Sequence, residues 1–198
     1  MTRNDEHWWV NLRTVLASGP ALINGSEELD RALAHVVSLL MGASITLDQG
    51  LPHIAIFLAI TALEETAKTH VGMYRRSDGI PTRRNDPLYN HKEKHALAAA
   101  PTVTMGSRLQ KAIGEEKLDD LLQRARTGNL AELRERALYL EREHDVLKVP
   151  AGEFDRSCAI CILLFAIEAF DDALVGYTNC SFELGKRTDV LFEKWAAT

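Results

Sequence analysis

Apolar residues recur every three or four positions along nearly the whole chain, and no convincing stretch alternates apolar and polar residues as a half-buried strand does. The spacing predicts helices over about 4–18, 26–48, 52–74, 88–99, 106–126, 129–143, 153–177 and 181–196. Of these, we expect 26–48, 52–74, 106–126 and 153–177 to be the main helices of one bundle. The sequence therefore predicts an all-α protein with a single domain over 1–198.

Local signals mark the first two helices of that bundle. Ser26 is a typical capping residue for the helix over 26–48, and Pro52 suits the first turn of the next helix. The first helix presents a continuous apolar face, formed by Leu29, Leu33, Val36, Val37, Leu40 and Leu47. We expect that face to be buried.

Charge and apolar run length argue against two broad classes of protein. The 198 residues carry a net charge of −5, so the surface as a whole does not favour nucleic acid, and any such binding must be local. The longest apolar runs, 54–63 and 159–167, fall short of the roughly 18 residues that a membrane span needs. We therefore expect a cytoplasmic protein with no membrane contact.

The cysteines and tryptophans favour structural roles. Cys158 and Cys161 lie in the apolar segment "CAIC", and the third cysteine leaves an odd number. Without an apolar signal segment at the N-terminus, this indicates free thiols in a reducing compartment, with the "CAIC" pair in the core. We expect Trp8, Trp9 and Trp195 to pack the terminal helices onto the bundle.

The positive charge is concentrated in one segment, which includes "RRNDPLYNHKEKH" (83–95). Between Tyr74 and His95 there are six Lys or Arg residues and three Asp or Glu residues, a local balance of +3. Aromatic rings beside cations suit RNA, because the rings stack on bases while the cations hold phosphates. The candidate RNA contacts are Arg75, Arg76, Arg83, Tyr89 and Lys92. A solvated loop whose arginines pair with nearby acids is the alternative.

Arg84 and His91 are the candidate catalytic pair within this segment. A guanidinium holds a phosphate through two hydrogen bonds, and an imidazole exchanges protons near neutral pH. Together they suffice for metal-independent RNA cleavage through a cyclic phosphate. The spacing of six intervening residues is not distinctive by itself, since chance predicts one or two such pairs in a chain of this composition.

The end of the helix over 52–74 carries adjacent carboxylates on an otherwise apolar segment. Glu64 and Lys68 are separated by one helical turn, so we expect them to pair. Because Glu65 shares a face with apolar residues, at least one carboxylate should point inward and need a partner. Lys68, Arg84 or His91 could supply it.

Two metal sites are alternatives that the residue types allow. His91 and His95 lie four positions apart on one helix face and could share a metal ion. Glu141 and His144 form a Glu-x-x-His pattern that, with Glu168 or Asp171 facing the bundle interior, hints at a carboxylate-bridged metal pair. Only one such pattern is present, whereas that architecture needs two.

The order of several short motifs resembles the AbiV family of abortive-infection proteins. These are "LAITALEETAK" (58–68), the basic loop, "HKEKH" (91–95) and "RERALYLE" (134–141). The family's Glu-Glu-x-x-Lys pattern corresponds to Glu64, Glu65 and Lys68. Its His-x-Lys pattern corresponds to His91 with Lys92 or Lys94, and its Leu-Tyr motif to Leu138 and Tyr139. The resemblance spans about residues 30 to 175.

This resemblance implies a phage-defence effector of the HEPN class. Such proteins are up-and-down helical bundles, here with a core of about 26–178, and they are commonly homodimers. Many are endoribonucleases that need no metal or cofactor and use an Arg-x(4–6)-His motif, often with a polar residue after the arginine. Arg84, Asn85 and His91 fit that motif, although a proline lies inside it.

The resemblance also implies roles for the neighbouring residues and for partners. Lys68, Lys94 and His95 would add positive charge or a second acid, while Glu64 and Glu65 would orient Lys68 or His91. The target would be RNA or the translation machinery, and a phage-encoded protein could act as activator. A non-catalytic toxin that binds a protein and arrests translation is the alternative.

Overall fold

The computed structural model of this protein describes residues 21–75, 86–99 and 107–198. Over these residues the chain forms nine α-helices, one 3-10 turn at Pro87–Tyr89 and one small hairpin. The helices are α1 (Ser26–Asp48), α2 (Pro52–Tyr74), α3 (His91–Ala98), α4 (Ser107–Ile113), α5 (Glu115–Thr127), α6 (Asn129–Arg136), α7 (Pro150–Glu153), α8 (Arg156–Leu174) and α9 (Asn179–Ala196). The all-α prediction is confirmed. The expected helix over 4–18, with Trp8 and Trp9, lies outside the described residues.

The first two helices have the predicted bounds, and the expected apolar face of α1 is buried along its length. The expected cap is wrong in detail. Gly25 occupies the cap position of α1 and no side chain caps the helix, so Ser26 is instead its first residue. The backbone N–H of Asn24, before the helix, donates to Glu28 of its first turn at 2.9 Å and so ties the preceding chain to the helix.

One glycine divides the region that the sequence assigned to one long helix over 106–126. Gly114 has a φ of +86°, a left-handed conformation that ends α4 and starts α5. Gly128, with a φ of +81°, separates α5 from α6, at the break that the sequence predicted between the helices over 106–126 and 129–143. Because the segment is broken, its helices cannot form a long bundle member.

A hairpin replaces the predicted end of the helix over 129–143. Strand β1 (Glu141–Glu143) pairs antiparallel with β2 (Val146–Lys148), and Glu141 is opposite Lys148. His144 and Asp145 form the turn, both with positive φ, which is the geometry that suits two-residue hairpin turns. Three-residue strands are too short for an alternating pattern to be visible in the sequence.

The core is built around α2, which packs against both α1 and α8, and these two helices also contact each other. Helix α9 contacts both α1 and α8, so it is the fourth long member of the bundle in place of the predicted 106–126 segment. Trp195 of α9 is buried and donates a hydrogen bond to Ser44 of α1 at 2.9 Å. Its expected packing role is therefore confirmed.

Apolar burial stabilises this arrangement. Phe165 and Phe170 of α8 and Leu33 and Leu40 of α1 are fully buried between the long helices. Each such side chain contributes about 1.5–3 kcal/mol of transfer free energy. The shorter helices α3, α5 and α6 contact one another beside α2, and this secondary layer carries the polar groups described next.

Candidate active site around Glu64 and His91

The carboxylate of Glu64 on α2 is buried and is surrounded by nitrogen donors. Its Oε2 accepts hydrogen bonds from His91 Nδ1 at 2.7 Å and from Lys94 Nζ at 2.8 Å. Its Oε1 accepts one from His95 Nε2 at 2.9 Å, and Arg134 Nε lies 3.6 Å from the same oxygen. One acid therefore joins three helices, and we call these five residues the Glu64 cluster.

Helix α3 supplies three of those donors because of the way it begins. Asn90 caps it, since the Asn90 side chain accepts a hydrogen bond from the backbone N–H of Lys92 at 3.0 Å. His91, Lys94 and His95 then stand at positions i, i+3 and i+4, which share one face of a helix. That face packs against α2 and meets Glu64.

The donors keep Glu64 ionised. Burial by itself would raise the pKa of Glu64, but hydrogen bonds from His95 and Lys94 and the charges of these two residues outweigh it. The result is a pKa of about 2 in place of the ordinary 4.5. At neutral pH the cluster therefore holds a permanent negative charge at its centre.

His91 connects that buried charge to the surface. An ionised carboxylate only accepts hydrogen bonds, so Nδ1 of His91 carries the proton that is donated to Glu64. In the neutral ring Nε2 is then the acceptor, and Arg134 Nη2 donates to it over a long 3.5 Å. The His91 side chain is 43% exposed, whereas Glu64 is 2% exposed, so the ring is accessible to a ligand.

The adjacent carboxylates of α2 have separate partners. Glu65 pairs with Lys68 at 3.1 Å near the surface, so the predicted Glu64–Lys68 pair is wrong. The inward carboxylate is Glu64, not Glu65, and its partners come from α3 and α6. Of the three partners expected for it, the described residues bring only His91 into contact.

Much of the predicted basic surface lies outside the described residues. This holds for the catalytic candidate Arg84 and for Asn85, as well as for Arg76 and Arg83. Arg75 is described, and it is buried rather than exposed. It is therefore not among the surface residues that could contact RNA.

Arg75 and Asp86, which stand on either side of the segment 76–85 in the sequence, form an ion pair. Arg75 Nη1 donates to Asp86 Oδ2 at 2.7 Å, and its second terminal nitrogen donates to the other oxygen. The backbone N–H of Leu88 also donates to Asp86 at 2.9 Å. Hydrogen bonding from Arg75 lowers the pKa of Asp86, so the pair stays charged and fixes where the chain enters the 3-10 turn before His91.

Tyr89 and Lys92 are exposed, as RNA contacts must be. Lys68 Nζ lies 5.9 Å from the centroid of the Tyr89 ring, within the range of a cation–π contact. Tyr89 and Lys92 are each within two residues of His91 in sequence. An aromatic residue and a cation therefore adjoin His91 along the chain.

Sequence reasoning did not identify Arg134 as a member of the site. It lies on α6, more than forty residues after His91, in the "RERALYLE" segment that carries the family resemblance. Its guanidinium also stands over the Phe57 ring, 5.6 Å from the centroid. The signal in the sequence was the motif itself, but its spacing gave no reason to choose Arg134 over Arg136.

A second polar cluster joins α4, α8 and α9, and of its members only Glu168 and Asp171 were singled out from the sequence. Arg108 on α4 donates to Glu168 and Asp171 on α8 and to Asp189 on α9. Asp171 also accepts a hydrogen bond from Thr188 at 2.7 Å. We call these five residues the Arg108 cluster. Its four charged members, together with Asp172, line a surface cleft of about 450 Å³, and Thr188 is buried behind them.

The carboxylates of this second cluster are less well compensated. Burial raises the pKa of Asp171 to about 6, although Thr188 and Arg108 oppose the shift. Burial and the nearby charge of Glu168 raise the pKa of Asp172 to about 6 as well. Glu168 itself is buried, as expected for one of the two acids of α8.

The metal alternatives do not match the geometry. His91 and His95 both direct a ring nitrogen at Glu64. Glu141 and His144 lie on the exposed hairpin rather than on a bundle helix, so the predicted Glu-x-x-His helix is wrong. Within the described ranges, no three His, Cys, Asp or Glu side chains are grouped as metal ligands.

The cysteines have the reduced state that the sequence predicted. Cys158, Cys161 and Cys180 are all free thiols, and Cys161 is buried. Burial raises the pKa of both Cys158 and Cys161, which keeps the thiols protonated and unreactive. The "CAIC" segment is thus part of the core of α8.

The comparisons with known proteins agree with the fold and with the motif order. The family model of AbiV, a HEPN family, matches residues 26–168, which cover α1 to most of α8 and include the whole Glu64 cluster. No curated protein and no solved structure matches the chain significantly. None of the described helices combines the length and apolar character needed to cross a membrane. Because the match spans more than half of the chain, this protein belongs to the AbiV family of HEPN-type abortive-infection proteins.

Proposed function

We propose that this protein is a phage-defence effector that cleaves RNA without a metal ion, with His91 as the general base or acid. The observation that supports this most directly is the contact between buried Glu64 and half-exposed His91. An ionised carboxylate that fixes the tautomer and orientation of an imidazole is the arrangement that general acid–base catalysis needs.

The chemistry follows from that orientation. Nε2 of His91 accepts the proton of a ribose 2′-hydroxyl while the 2′-oxygen attacks the adjacent phosphorus. The bond from phosphorus to the 5′-oxygen breaks, and a second acid protonates the leaving oxygen. The products are a 2′,3′-cyclic phosphate and a 5′-hydroxyl end. DNA lacks the attacking hydroxyl, so the substrate is RNA.

The other expected residues have defined places in this proposal. Arg84 would hold the scissile phosphate, with Asn85 beside it, and Tyr89 and Lys92 would contact the flanking nucleotides. Lys94 and His95 support the cluster from within, since both are buried on Glu64. We infer a cytoplasmic homodimer, because the HEPN resemblance pairs two such motifs across a subunit interface.

The test is cleavage of a single-stranded RNA oligonucleotide in the presence of EDTA. The wild-type protein should produce fragments with cyclic-phosphate ends, and His91→Ala should lose at least about 100-fold in rate. His35→Ala removes an exposed histidine of α1 and is the matched control that should keep full activity. Intact RNA with the wild-type protein under activating conditions would reject the nuclease.

The exposed hairpin favours a second candidate, a toxin that arrests translation by binding a protein. Large apolar side chains are exposed in and beside it, namely Leu138, Tyr139, Leu140, Val146, Leu147 and Val149. Such a patch is typical of an interaction surface. If wild type and His91→Ala arrest growth equally while RNA stays intact, this candidate replaces the nuclease.

A further inference from the structure

Arg134 has a positive charge that the cluster does not use. Glu64 is already compensated by Lys94 and accepts hydrogen bonds from three side chains, so it needs no further cation. Among the described residues, no carboxylate other than Glu64 lies within ion-pairing distance of Arg134. The sum over Glu64, Lys94 and Arg134 is therefore +1 before any histidine is protonated.

The hydrogen bonds of Arg134 are also incomplete. Its Nε is buried and has no hydrogen-bond partner, since the 3.6 Å to Glu64 Oε1 is too long for one. Its Nη2 reaches His91 Nε2 only at 3.5 Å, the outer limit of a hydrogen bond. A buried donor without a partner is unfavourable, so the guanidinium has hydrogen-bonding capacity that its protein neighbours do not use.

The guanidinium is nevertheless held in place. It stands over the Phe57 ring of α2, and its side chain is only 17% exposed. A planar fork of N–H donors so fixed is suited to the two oxygens of a phosphate. Arg134 Nη2 lies 3.5 Å from His91 Nε2, so a phosphate bound by the guanidinium would also be close to that ring nitrogen.

We propose that Arg134 binds the scissile phosphate of the substrate within the same subunit as His91. This inference rests on the proposed function, and it adds a phosphate ligand that the Arg-x(4–6)-His motif does not contain. An incoming phosphodiester replaces the long contact between Arg134 and His91. It accepts hydrogen bonds from the guanidinium and brings its ribose 2′-hydroxyl to Nε2.

The experiment compares Arg134→Gln and Arg134→Lys with Arg136→Gln. Arg136 is on the same helix, is exposed and lies 3.8 Å from Glu153, away from the cluster. We expect Arg134→Gln to lose about 100-fold in kcat/KM for RNA, the effect of removing one preorganised donor to a transition-state oxyanion. Arg134→Lys should recover part of this loss, and Arg136→Gln should stay within about threefold of wild type.

A second readout separates this inference from the nuclease itself. Inorganic phosphate, and then a 2′-O-methyl RNA that cannot be cleaved, is titrated while the ring signals of His91 are followed by NMR. We expect both ligands to shift those signals in the wild type and in Arg136→Gln, but not in Arg134→Gln. Circular dichroism and urea unfolding confirm that each variant is folded.

The outcomes are distinct. If wild type cleaves RNA and Arg134→Gln cleaves it equally well, Arg134 is not a phosphate ligand while the nuclease stands. If no variant cleaves RNA but phosphate shifts His91 only when Arg134 is present, the anion site stands and the nuclease fails. If phosphate and the RNA analogue leave the wild-type His91 signals unchanged, the inference is overturned.

Discussion

The Glu64 cluster and the Arg108 cluster are built from the same kinds of side chain with the signs exchanged. In the first, one carboxylate joins α2, α3 and α6 and has more donors around it than it can use. In the second, one guanidinium joins α4, α8 and α9 and has three carboxylates around it. Both clusters connect short helices to the long helices of the bundle, so this structural role is common to the two.

The difference lies in what each cluster has left over. The Glu64 cluster has surplus positive charge and hydrogen-bond donors beside an accessible imidazole, which suits an anion. The Arg108 cluster has surplus carboxylates, and the raised pKa values of Asp171 and of the adjacent Asp172 show that these acids are incompletely compensated. The burial of polar groups alone does not identify a functional site. A functional site is identified by the sign of the uncompensated charge and by whether a ligand can reach it.

Of the substitutions that distinguish the two clusters, Glu64→Gln should lower the free energy of unfolding the most. An amide at this position brings N–H groups against the existing donors and leaves Lys94 buried without a counter-charge. The shift of the Glu64 pKa from 4.5 to about 2 corresponds to about 3 kcal/mol of stabilisation at neutral pH. Urea unfolding should show a loss of that order in the free energy of unfolding.

Glu65→Gln is the matched control for this substitution. Glu65 is the next residue on α2, but its partner Lys68 is near the surface, and each side chain is 25% exposed. The control should cost only about 0.2–1 kcal/mol. Equal losses in the two variants would mean that Glu64 does not hold the cluster together.

A smaller effect with a different pH dependence is expected for Arg108→Gln. Its removal leaves Glu168, Asp171 and Asp189 without their shared donor, at a cost of about 2 kcal/mol near pH 8. The cost should decrease toward pH 5, because burial already raises the pKa of Asp171 to about 6 and loss of the Arg108 charge raises it further. A protonated carboxyl no longer needs the guanidinium.

The two clusters should therefore respond to acid in opposite directions. The pKa of Asp171 in the folded state, about 6, lies above its ordinary 3.8, so between these pH values the folded state binds more protons than the unfolded state. The contribution of Asp171 to stability therefore falls as the pH rises from 3.8 to 6. The folded pKa of Glu64 lies below its ordinary 4.5, so its contribution is complete above that pH and is lost as the pH falls toward 2. Urea unfolding should be measured from about pH 8 to pH 5. Over this range, the loss in free energy of unfolding caused by Arg108→Gln should become smaller, whereas the loss that Glu64→Gln causes by removing an ionised carboxylate should stay constant. A deficit for Arg108→Gln that grows on acidification would contradict this assignment.

The sequence predicted the long helices and part of the candidate site, and the reasons for the misses are physical. Helices α1 and α2 were predicted with the right bounds because their apolar faces persist over six turns. The segment over 106–126 was misassigned because Gly114 breaks it, and one glycine within a helical pattern does not reveal its φ. The hairpin was missed because three-residue strands show no period.

The candidate site shows the same division between local and long-range information. His91, Lys94 and His95 share a helix face, so their spacing alone brings them together. Glu64 was recognised as a carboxylate in need of a partner, but Glu65 was the one placed on the inward face. Arg134 and Arg108 reach their partners only through the packing of separate helices, and no spacing in the sequence encodes those contacts.

The smallest difference in stability is expected between alanine substitutions at two glycines, one next to each cluster. Gly128, at the turn into α6, lies against Lys92, and an added Cβ would be 2.7 Å from Lys92 Cγ. Gly114, at the end of the helix that carries Arg108, has a similar positive φ but open space around it. Either change to alanine places a side chain in the left-handed region at a cost of about 1–2 kcal/mol.

Gly128→Ala should cost about 1 kcal/mol more than Gly114→Ala, because only Gly128 must also displace a neighbour. Since Lys92 is adjacent to His91, Gly128→Ala should also move the His91 ring signals in an NMR spectrum, whereas Gly114→Ala should leave them unchanged. Equal stabilities with unchanged His91 signals would show that the α5–α6 turn gives way to the methyl group. In that case Glu64, rather than the packing of this turn, would be what positions His91.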